Sequence, residues 1–402
     1  MATSLILSGM LLIIAWLWLR FAKREVSLPI WSTLEIPELA EDESPFVSII
    51  VYTRNQAQDI VRCVYSLLRQ DYPRFEVIVV DDHSSDATWE RLLEMAAANG
   101  GLRTLRGESP PKAWLRRPTS LQQGMDAARG DWFLFTTAEA YHAPALLSRA
   151  MAYARLQGLG MLSLAPRYEC RSFWAHVWQP VALQYLDFVR PMEQVGVARA
   201  GGVWASEAFL LISREAYRKA GGHAAVASEF HEAGPLMHLV KSLGYHIEFV
   251  KAMDLLQARP HRSLRALWEG WGQSLYYLLG SHPLRVAAHA LGLVVWAVLP
   301  FVALLPALSF GFWGLDVVHG WWDVVLAVCA ILAVVTILQA ESVVRRVQRQ
   351  NHLYTAALPL GGLCLAAAAV HGLVRAAPWR GRAVIDLCRA DTEGVRSANR
   401  QR

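Results

Sequence analysis

The sequence predicts an α/β domain carried by membrane-spanning segments, and three observations support this fold class. An almost unbroken apolar stretch lies at Leu5–Leu19, and basic residues follow it directly. Short β-branched runs alternate with amphipathic helical patterns across residues 46–260, as in sheets built from strand–helix–strand units. Further apolar stretches of about 20 residues fill the C-terminal third, and that length suits a bilayer crossing. We therefore expect a Rossmann-like domain with one N-terminal and about three C-terminal transmembrane segments.

Residues 1–24 are predicted to form a membrane anchor. No basic residue precedes the apolar stretch, and no small-residue cleavage site follows it. A secretory signal peptide would need both features. Because positive flanks remain on the cytoplasmic side of a membrane, we expect the chain from Arg20 to Arg285 to face the cytoplasm.

Residues 46–260 are predicted to form the α/β domain, because the apolar periodicity there switches repeatedly between strand and helix patterns. Runs rich in valine, isoleucine and phenylalanine indicate buried parallel strands. Ligands bind beyond the carboxyl ends of the strands in such sheets. The predicted elements are the strands Phe46–Tyr52, Phe75–Val80 and Asp131–Thr136 and the helices Gln58–Arg69 and Thr88–Ala98.

Two acidic residues, Asp81 and Asp82, follow the second predicted strand at its carboxyl end. A pair of acids in this position needs a partner, and the ribose or base of a nucleotide would supply hydrogen-bond donors. Ser84, Ser85 or Asp86 is instead expected to cap the helix that follows.

The C-terminal part is predicted to be an interface helix followed by a transmembrane region. Apolar residues recur at helical spacing across Arg262–Leu279, which indicates an amphipathic helix at the membrane surface over residues 261–282. Two prolines, Pro300 and Pro306, lie inside the first of the apolar stretches and predict a kink or break there. The stretches of the transmembrane region, residues 283–378, are Val286–Leu308, Trp322–Gln339 and Thr355–Val374.

Arginine-rich segments on either side of Thr355–Val374 leave the topology of this last stretch open. The loop Ala340–Leu353 and the basic tail, residues 379–402, are each expected to be cytoplasmic by the positive-inside rule. Both cannot be cytoplasmic if the stretch crosses the membrane fully. Either the stretch forms a re-entrant or interfacial hairpin, or the tail lies outside.

The composition excludes several other classes of protein. Of the 402 residues, 54% are hydrophobic and 18% are charged, which is too apolar for a mainly disordered chain. The 5 cysteines are far apart and form no CxxC pair, so zinc and iron–sulfur sites have no support. The net charge of +5 comes mainly from arginines beside apolar segments and in the tail. That placement indicates membrane topology and no nucleic-acid partner.

Several strings of the α/β domain resemble the family 2 glycosyltransferases, which have the GT-A fold. The strings are VSIIVYTRNQ, QDYPRFEVIVVDDHSSDAT, GDWFLFTTAEAYHAP, AGGHAAV at Ala220–Val226 and WRGRA at Trp379–Ala383. The resemblance extends over residues 46–280 and is strongest to the membrane-anchored branch that glycosylates lipids such as ceramide, hopanoids and carotenoids. It implies a nucleotide-sugar donor, in particular a UDP-hexose, and a divalent cation, Mg²⁺ or Mn²⁺.

The resemblance also implies roles for particular residues. Arg117 lies where the family has a lysine that meets the donor diphosphate, and an arginine can make a bidentate phosphate contact. Glu139 lies at the family's metal position, and Mg²⁺ often needs only one or two protein carboxylates beside phosphates and water. The residues that the resemblance assigns to the nucleotide sugar, with Arg117, are Thr53, Arg54, Asn55, Asp81, Asp82 and Thr137.

The chain departs from the family at four motifs. Gln56 replaces the acid that follows Arg-Asn in the family. Thr137-Ala138-Glu139 stands in place of the Asp-x-Asp metal motif, and Ser206-Glu207-Ala208 stands in place of a common Asn-Gly-Gln. The acceptor-side Glu-Asp motif is Glu232-Ala233, so its second acid is missing. A base for the acceptor hydroxyl is worth about 10²–10⁴-fold in rate, and Glu232 or His231 is the expected substitute, in a loop before a helix that Pro235 opens.

The interface helix carries the candidate acceptor residues, Arg265 and Trp268, because the family has arginine and aromatic residues beside the acceptor in this region. Membrane anchoring alone is the alternative role for Trp268. A processive polysaccharide synthase would need a Gln-x-x-Arg-Trp motif, and the nearest string here is RSLRALW at Arg262–Trp268.

The sequence thus favours inverting transfer of a hexose from a nucleotide sugar to the hydroxyl group of a membrane lipid. The expected place is the inner membrane, with several spans and a cytoplasmic catalytic domain. The altered motifs keep open a second hypothesis, a catalytically degenerate scaffold or regulatory protein. A polysaccharide synthase is the third.

Overall fold

The computed structural model describes residues 2–28, 31, 44–191, 195, 203, 205–259, 263–279, 282–305 and 321–374. The predicted tail, the WRGRA string and Pro306 lie outside the described residues. The strands are β1 Val47–Thr53, β2 Phe75–Asp81, β3 Leu102–Arg106, β4 Trp132–Thr137, β5 Ala140–His142, β6 Met161–Ala165, β7 Arg167–Tyr168, β8 Leu210–Ser213, β9 Ile247–Lys251 and β10 Leu256–Ala258.

The helices are numbered in the same way. They are α1 Ala2–Ser27, α2 Ala57–Leu68, α3 Thr88–Ala98, α4 Arg116–Asp126, α5 Leu146–Leu156, α6 Phe173–Val189, α7 Arg214–Lys219, α8 Ala233–Ser242, α9 Leu264–Leu278, α10 Pro283–Ala297, α11 Leu299–Val302, α12 Trp321–Val347 and α13 at residues 358–374. Two 3₁₀ turns, Gly222–Val226 and His352–Ala357, precede α8 and α13.

The described residues form two units. All ten strands belong to the α/β unit together with α2–α5, α7 and α8, whereas α1, α6 and α9–α13 form the membrane unit. Helix α6 lies within residues 46–260 along the chain yet belongs to the membrane unit.

The α/β unit is built on a seven-stranded sheet in the order β3-β2-β1-β4-β8-β6-β9. Strands β1, β2, β3 and β4 are parallel neighbours, and β8 runs antiparallel between β4 and β6. A second sheet, of three strands, has the order β5-β10-β7. The predicted α/β class is confirmed, and the predicted strands and helices of residues 46–136 are present to within about one residue at each end.

Apolar side chains cover both faces of the large sheet. Alternate residues of β1 point to opposite faces, so Ile49 and Ile50 lie in two different apolar clusters. Such burial on both faces explains why the parallel strands read as continuous apolar runs in the sequence. The polar residues that end these strands are therefore left at the sheet edge.

The membrane unit contains three helical segments that are long and apolar enough to cross a bilayer, among the residues that the structure describes. They are Ala2–Ser27, Trp321–Val347 and His352–Val374. One N-terminal and two C-terminal segments therefore stand alone as candidate spans, and the bent pair of α9 and α10 would bring the number to the expected four if it counted as one span. The first C-terminal stretch instead gives the 15-residue helix α10, which ends at Ala297, and Pro300 lies in the first turn of α11. At 1.5 Å per residue α10 is about 22 Å long.

Helix α12 runs further than the sequence predicts. The expected loop at Ala340–Leu353 is wrong over its first half, because the helix continues to Val347. Arg345 donates from Nε to Glu341 Oε1 at 2.5 Å, one turn away, and both side chains are fully buried. This i,i+4 pair supports the helix in a place where charge alone indicated a loop.

Candidate functional site

The carboxyl ends of β1, β2 and β4 lie side by side at one edge of the large sheet. Thr53 pairs with Asp81 across β1 and β2, and Tyr52 pairs with Thr137 across β1 and β4. This register brings the predicted nucleotide residues to a single edge, as the doubly wound topology requires.

Asp81 is fully buried, and protein donors surround its carboxylate. The amide of Ser84 donates to Oδ2 at 3.2 Å, the hydroxyl of Ser84 donates to Oδ1, and Arg106 forms an ion pair with Oδ2. The Arg106 guanidinium in turn lies 4.2 Å from the centroid of the Trp89 ring. Asp81 thus holds the turn after β2 and orients Arg106.

Asp82 is buried as well and lies among three donors. The hydroxyl of Tyr52 donates to Oδ2 at 3.2 Å, Arg116 donates to Oδ1 at 3.2 Å, and Arg54 lies 3.5 Å from Oδ2. With Arg106, three arginines accompany two aspartates at this edge. The surplus of one positive charge suits an anionic ligand.

Asn55 links the loops that follow β1 and β2. Its backbone has a φ of 53°, and its backbone amide donates to Ser84 Oγ at 2.9 Å. Its side-chain Oδ1 accepts from the backbone amide of Ser85 at 2.8 Å. The hydroxyl of Thr53 is buried and has no hydrogen-bond partner among the described residues. A structural role therefore accounts for Asn55, and Thr53 keeps a hydroxyl for a ligand.

Asp86 caps helices, as the sequence predicts for it. Its carboxylate accepts from the amide of Thr88, the first residue of α3, at 3.1 Å, and from the amide of Ala57, the first residue of α2, at 3.1 Å. Free amides at helix starts need such acceptors.

Glu139 lies in the short turn between β4 and β5 and is partly buried. The side-chain amide of Gln56 donates to its Oε1 at 2.9 Å. Burial raises the pKa of Glu139 to about 7, since loss of solvent outweighs the Gln56 hydrogen bond. A cation placed beside such a buried carboxylate would stabilise its ionised form.

Arg117 is held by two glutamates. Its Nε donates to Glu232 Oε1 at 2.7 Å, its Nη2 lies 3.4 Å from Glu207 Oε2, and its guanidinium lies 5.4 Å from the centroid of the Tyr52 ring. Although burial works against the charged form, Glu207 and Glu232 raise the pKa of Arg117. The guanidinium is thus a fixed cation at this edge.

Glu207 is a member of the site that the sequence did not assign. Its Oε1 lies 2.8 Å from Nδ1 of His231, so it joins His231 to Arg117. Burial opposes its ionised form, but Arg117 and His231 lower the pKa of Glu207 to about 2. The departure Ser206-Glu207-Ala208 was the available signal, because an acid had replaced the middle residue of an otherwise neutral motif.

Glu232 and His231 precede α8, and each has a buried atom without a partner. Glu232 Oε2 and His231 Nε2 form no hydrogen bond within the described part of the chain. Burial raises the pKa of Glu232 despite its bond to Arg117. The helix begins at Ala233, so the prediction that Pro235 occupies its first position is wrong by two residues.

The residues Arg265 and Trp268 lie in the membrane unit, on α9. Arg265 is 86% exposed and donates to Glu269 at 2.9 Å. The ring of Trp268 packs edge-on against Trp178 at 5.5 Å and lies 5.6 Å from His371. These ring contacts account for Trp268 by packing within the membrane unit.

A metal ion would have Glu139 as its main protein ligand at this site. Among the described residues no group of three or more histidine, cysteine, aspartate or glutamate side chains could hold a metal ion. The single carboxylate fits the sparse protein coordination of Mg²⁺, in which phosphates and water complete the shell. Glu139 thus fits a cation that arrives with a diphosphate.

Comparisons with known proteins bear on the family and the fold of the α/β unit. A family model described as glycosyl transferase family 2 matches residues 48–198. Glycosyltransferase AglE of Haloferax volcanii is 33% identical over 85 residues, which are 21% of this chain and 28% of that protein. The amylovoran biosynthesis glycosyltransferase AmsB of Erwinia amylovora is 30% identical over 116 residues, which are 28% of this chain and 37% of that protein.

One solved structure resembles most of the chain in fold. The mannosyltransferase PcManGT from Pyrobaculum calidifontis, in complex with GDP-Man and Mn²⁺, has a TM-score of 0.54 and 19% identity, and the match covers 92% of this chain and 98% of that chain. The α/β unit thus has the GT-A fold. The chain aligns with less than two fifths of the length of the curated relatives AglE and AmsB.

Proposed function

We propose, from the family 2 glycosyltransferase domain at residues 48–198, that the protein transfers a hexose from a nucleotide sugar to the hydroxyl group of a membrane lipid. The observation that carries this proposal is the position of Arg117. It lies among Glu207, Glu232 and His231 at the strand edge where a GT-A fold binds its donor.

The donor is held by the residues at this edge. Thr53 offers an unpartnered hydroxyl, and Arg54 contributes charge beside Asp82. The nucleoside then lies near Asp81, Asp82 and Thr137, and the diphosphate takes Arg117 as a bidentate cation. PcManGT was solved with GDP-Man, and we propose a nucleoside diphosphate hexose, UDP-hexose first, as donor here.

A divalent ion would be held by Glu139 and would supply positive charge against the leaving diphosphate. Mn²⁺ accompanies the donor in the PcManGT complex. Glu139 lies in the turn after β4, next to Gln56, whose amide fixes one carboxylate oxygen. Gln56 thus orients Glu139 for this contact.

The acceptor hydroxyl loses its proton to Glu232 or His231, and the hydroxyl oxygen attacks the anomeric carbon with inversion. The acceptor is a lipid because the chain carries three segments able to cross a bilayer. Arg265 and Trp268 belong to an amphipathic helix suited to the membrane surface. We propose the inner membrane, with the α/β unit in the cytoplasm.

The second candidate is a scaffold without catalysis. It is favoured by one observation, that the carboxylates of Asp81 and the guanidinium of Arg117 already have protein partners. Titration of UDP, GDP and their hexose derivatives with Mg²⁺ or Mn²⁺ into the full chain in nanodiscs separates the two. Metal-dependent binding and transfer of labelled sugar to added lipid support the enzyme, and no binding at millimolar ligand supports the scaffold.

A further inference from the structure

His231 and Glu207 form a contact that the family's usual Glu-Asp motif does not contain. Nδ1 of His231 lies 2.8 Å from Glu207 Oε1, and both side chains are about a quarter exposed, at 27% and 26%. The opposite ring nitrogen, Nε2, is buried and has no hydrogen-bond partner among the described residues. The imidazole is therefore held at Nδ1, whereas Nε2 is left without a hydrogen bond.

The contact determines which ring nitrogen carries the proton. An ionised carboxylate only accepts hydrogen bonds. Glu207 is such a group, because Arg117 beside it lowers the pKa of Glu207 despite its burial. Nδ1 of a neutral His231 must then be the protonated nitrogen, and Nε2 presents a lone pair. A buried nitrogen with an unused lone pair needs a hydrogen-bond donor. The hydroxyl group of the sugar-accepting substrate would supply one.

Glu232, the other candidate, is less suited to accept a proton. One of its oxygens already accepts from Arg117 Nε at 2.7 Å. The cation beside it favours the ionised form of Glu232 and so opposes its protonation. Its contact instead keeps the Arg117 guanidinium in place.

We propose that Nε2 of His231 takes the proton of the acceptor hydroxyl and that Glu207 is the positioning residue that orients His231. The inference rests on the proposed glycosyl transfer. In the step the O–H bond of the acceptor breaks and its proton moves to Nε2, while the oxygen bonds to the anomeric carbon. The bond from that carbon to the diphosphate breaks, and its electron pair leaves with the diphosphate. The imidazolium then returns its proton to water.

Two paired substitutions test the assignment in the full chain in nanodiscs. Glu207→Gln and Glu232→Gln each remove one carboxylate from Arg117, but only Glu207 contacts His231. We expect His231→Gln and Glu207→Gln to lower kcat by about 10²–10⁴-fold, with nucleotide affinity unchanged in His231→Gln. Glu232→Gln should alter nucleotide affinity as Glu207→Gln does, yet lower kcat by less than about tenfold. Glu207→Asp should recover part of the rate.

Chemical rescue and a spectroscopic readout complete the test. Imidazole added to His231→Gly should restore turnover, because it replaces the missing base. With ¹⁵N-labelled histidine, the resonances that vanish in His231→Gln should show Nδ1 protonated in the wild type and a changed tautomer in Glu207→Gln.

The outcomes distinguish this inference from the function on which it rests. Turnover within tenfold of wild type in His231→Gln, or an Nε2-protonated tautomer in the wild type, overturns the assignment while the glycosyl transfer stands. A wild type that binds no nucleotide sugar and forms no product overturns both.

Discussion

Arg117 donates from Nε to Glu232 Oε1 across 2.7 Å and lies 3.4 Å from Glu207. The cation that the sequence assigns to the donor diphosphate is therefore paired inside the α/β unit. A diphosphate would compete with two carboxylates for one guanidinium. Under the proposed function, donor binding would be linked to the release of Glu232 from Arg117, because the guanidinium cannot satisfy all three partners in full.

The first prediction concerns Arg117→Lys. An ammonium keeps the charge that both glutamates need but lacks the planar fork that meets a diphosphate in two places. Loss of a charge-assisted hydrogen bond costs about 1.5–3 kcal/mol, so affinity for UDP or GDP should fall by about 10–150-fold. Calorimetric titration measures this, with the exposed Arg218→Lys as the matched control. Equal affinity in both variants would remove Arg117 from the donor site.

The second prediction concerns Glu139→Gln. Glutamine preserves the size of the side chain and can still accept from Gln56, so the midpoint of thermal unfolding should change little. The charge that would hold a divalent ion under the proposed function is lost, so donor binding should no longer respond to Mn²⁺. The measurement is nucleotide affinity with and without Mn²⁺ for both proteins. A fall in unfolding free energy of several kcal/mol would instead make Glu139 a structural partner of Gln56.

The third prediction concerns Asp81→Asn. Asp81 is fully buried and serves Ser84 and Arg106, so its charge stabilises the turn after β2. An asparagine leaves Arg106 without its anion, and we expect the free energy of unfolding to fall by about 2 kcal/mol. The exposed Asp71→Asn is the matched control. Denaturant unfolding measures the stability of the two variants. Equal stability would mean that Asp81 serves only to bind a ligand.

The sequence predicted the framework of the α/β unit because the relevant signals are local. Continuous apolar runs marked β1, β2 and β4, and the ends of these strands indicated where Asp81 and Asp82 lie. Parallel pairing then places those ends at one edge without further information. That part of the site follows from short-range pattern and topology alone.

The remaining part of the site depends on contacts between residues that are distant along the chain. Arg117 and Glu207 meet only because α4 and the segment before β8 converge in the folded unit. No sequence periodicity indicates such a pairing, so Glu207 could be recognised only as a departure from a motif. The buried Glu341–Arg345 pair led to a wrong prediction for the same reason. Its charges suggested a loop, but the two opposite charges neutralise each other within α12.

The last prediction concerns acid stability, which depends on His142 and His223. Both side chains are almost completely buried, and burial lowers the pKa of each to about 3. Above pH 6.5 both histidines are neutral in the folded and unfolded states and contribute no pH dependence. Below pH 6.5 only the unfolded state binds the protons, so the free energy of unfolding should fall by about 1.4 kcal/mol per pH unit for each histidine.

Between pH 7.5 and pH 5 the two histidines together should thus remove about 4 kcal/mol. His223→Phe should halve this slope, because the phenyl ring can occupy the position beside Phe135, where the rings are 4.6 Å apart, and binds no proton in either state. The same variant should be somewhat less stable than wild type at pH 7.5, because Nδ1 of His223 no longer bonds to the Tyr217 hydroxyl at 2.7 Å. Denaturant unfolding at several pH values measures both effects. A slope equal to that of wild type would mean that His223 gains its proton in the folded state as readily as in the unfolded chain.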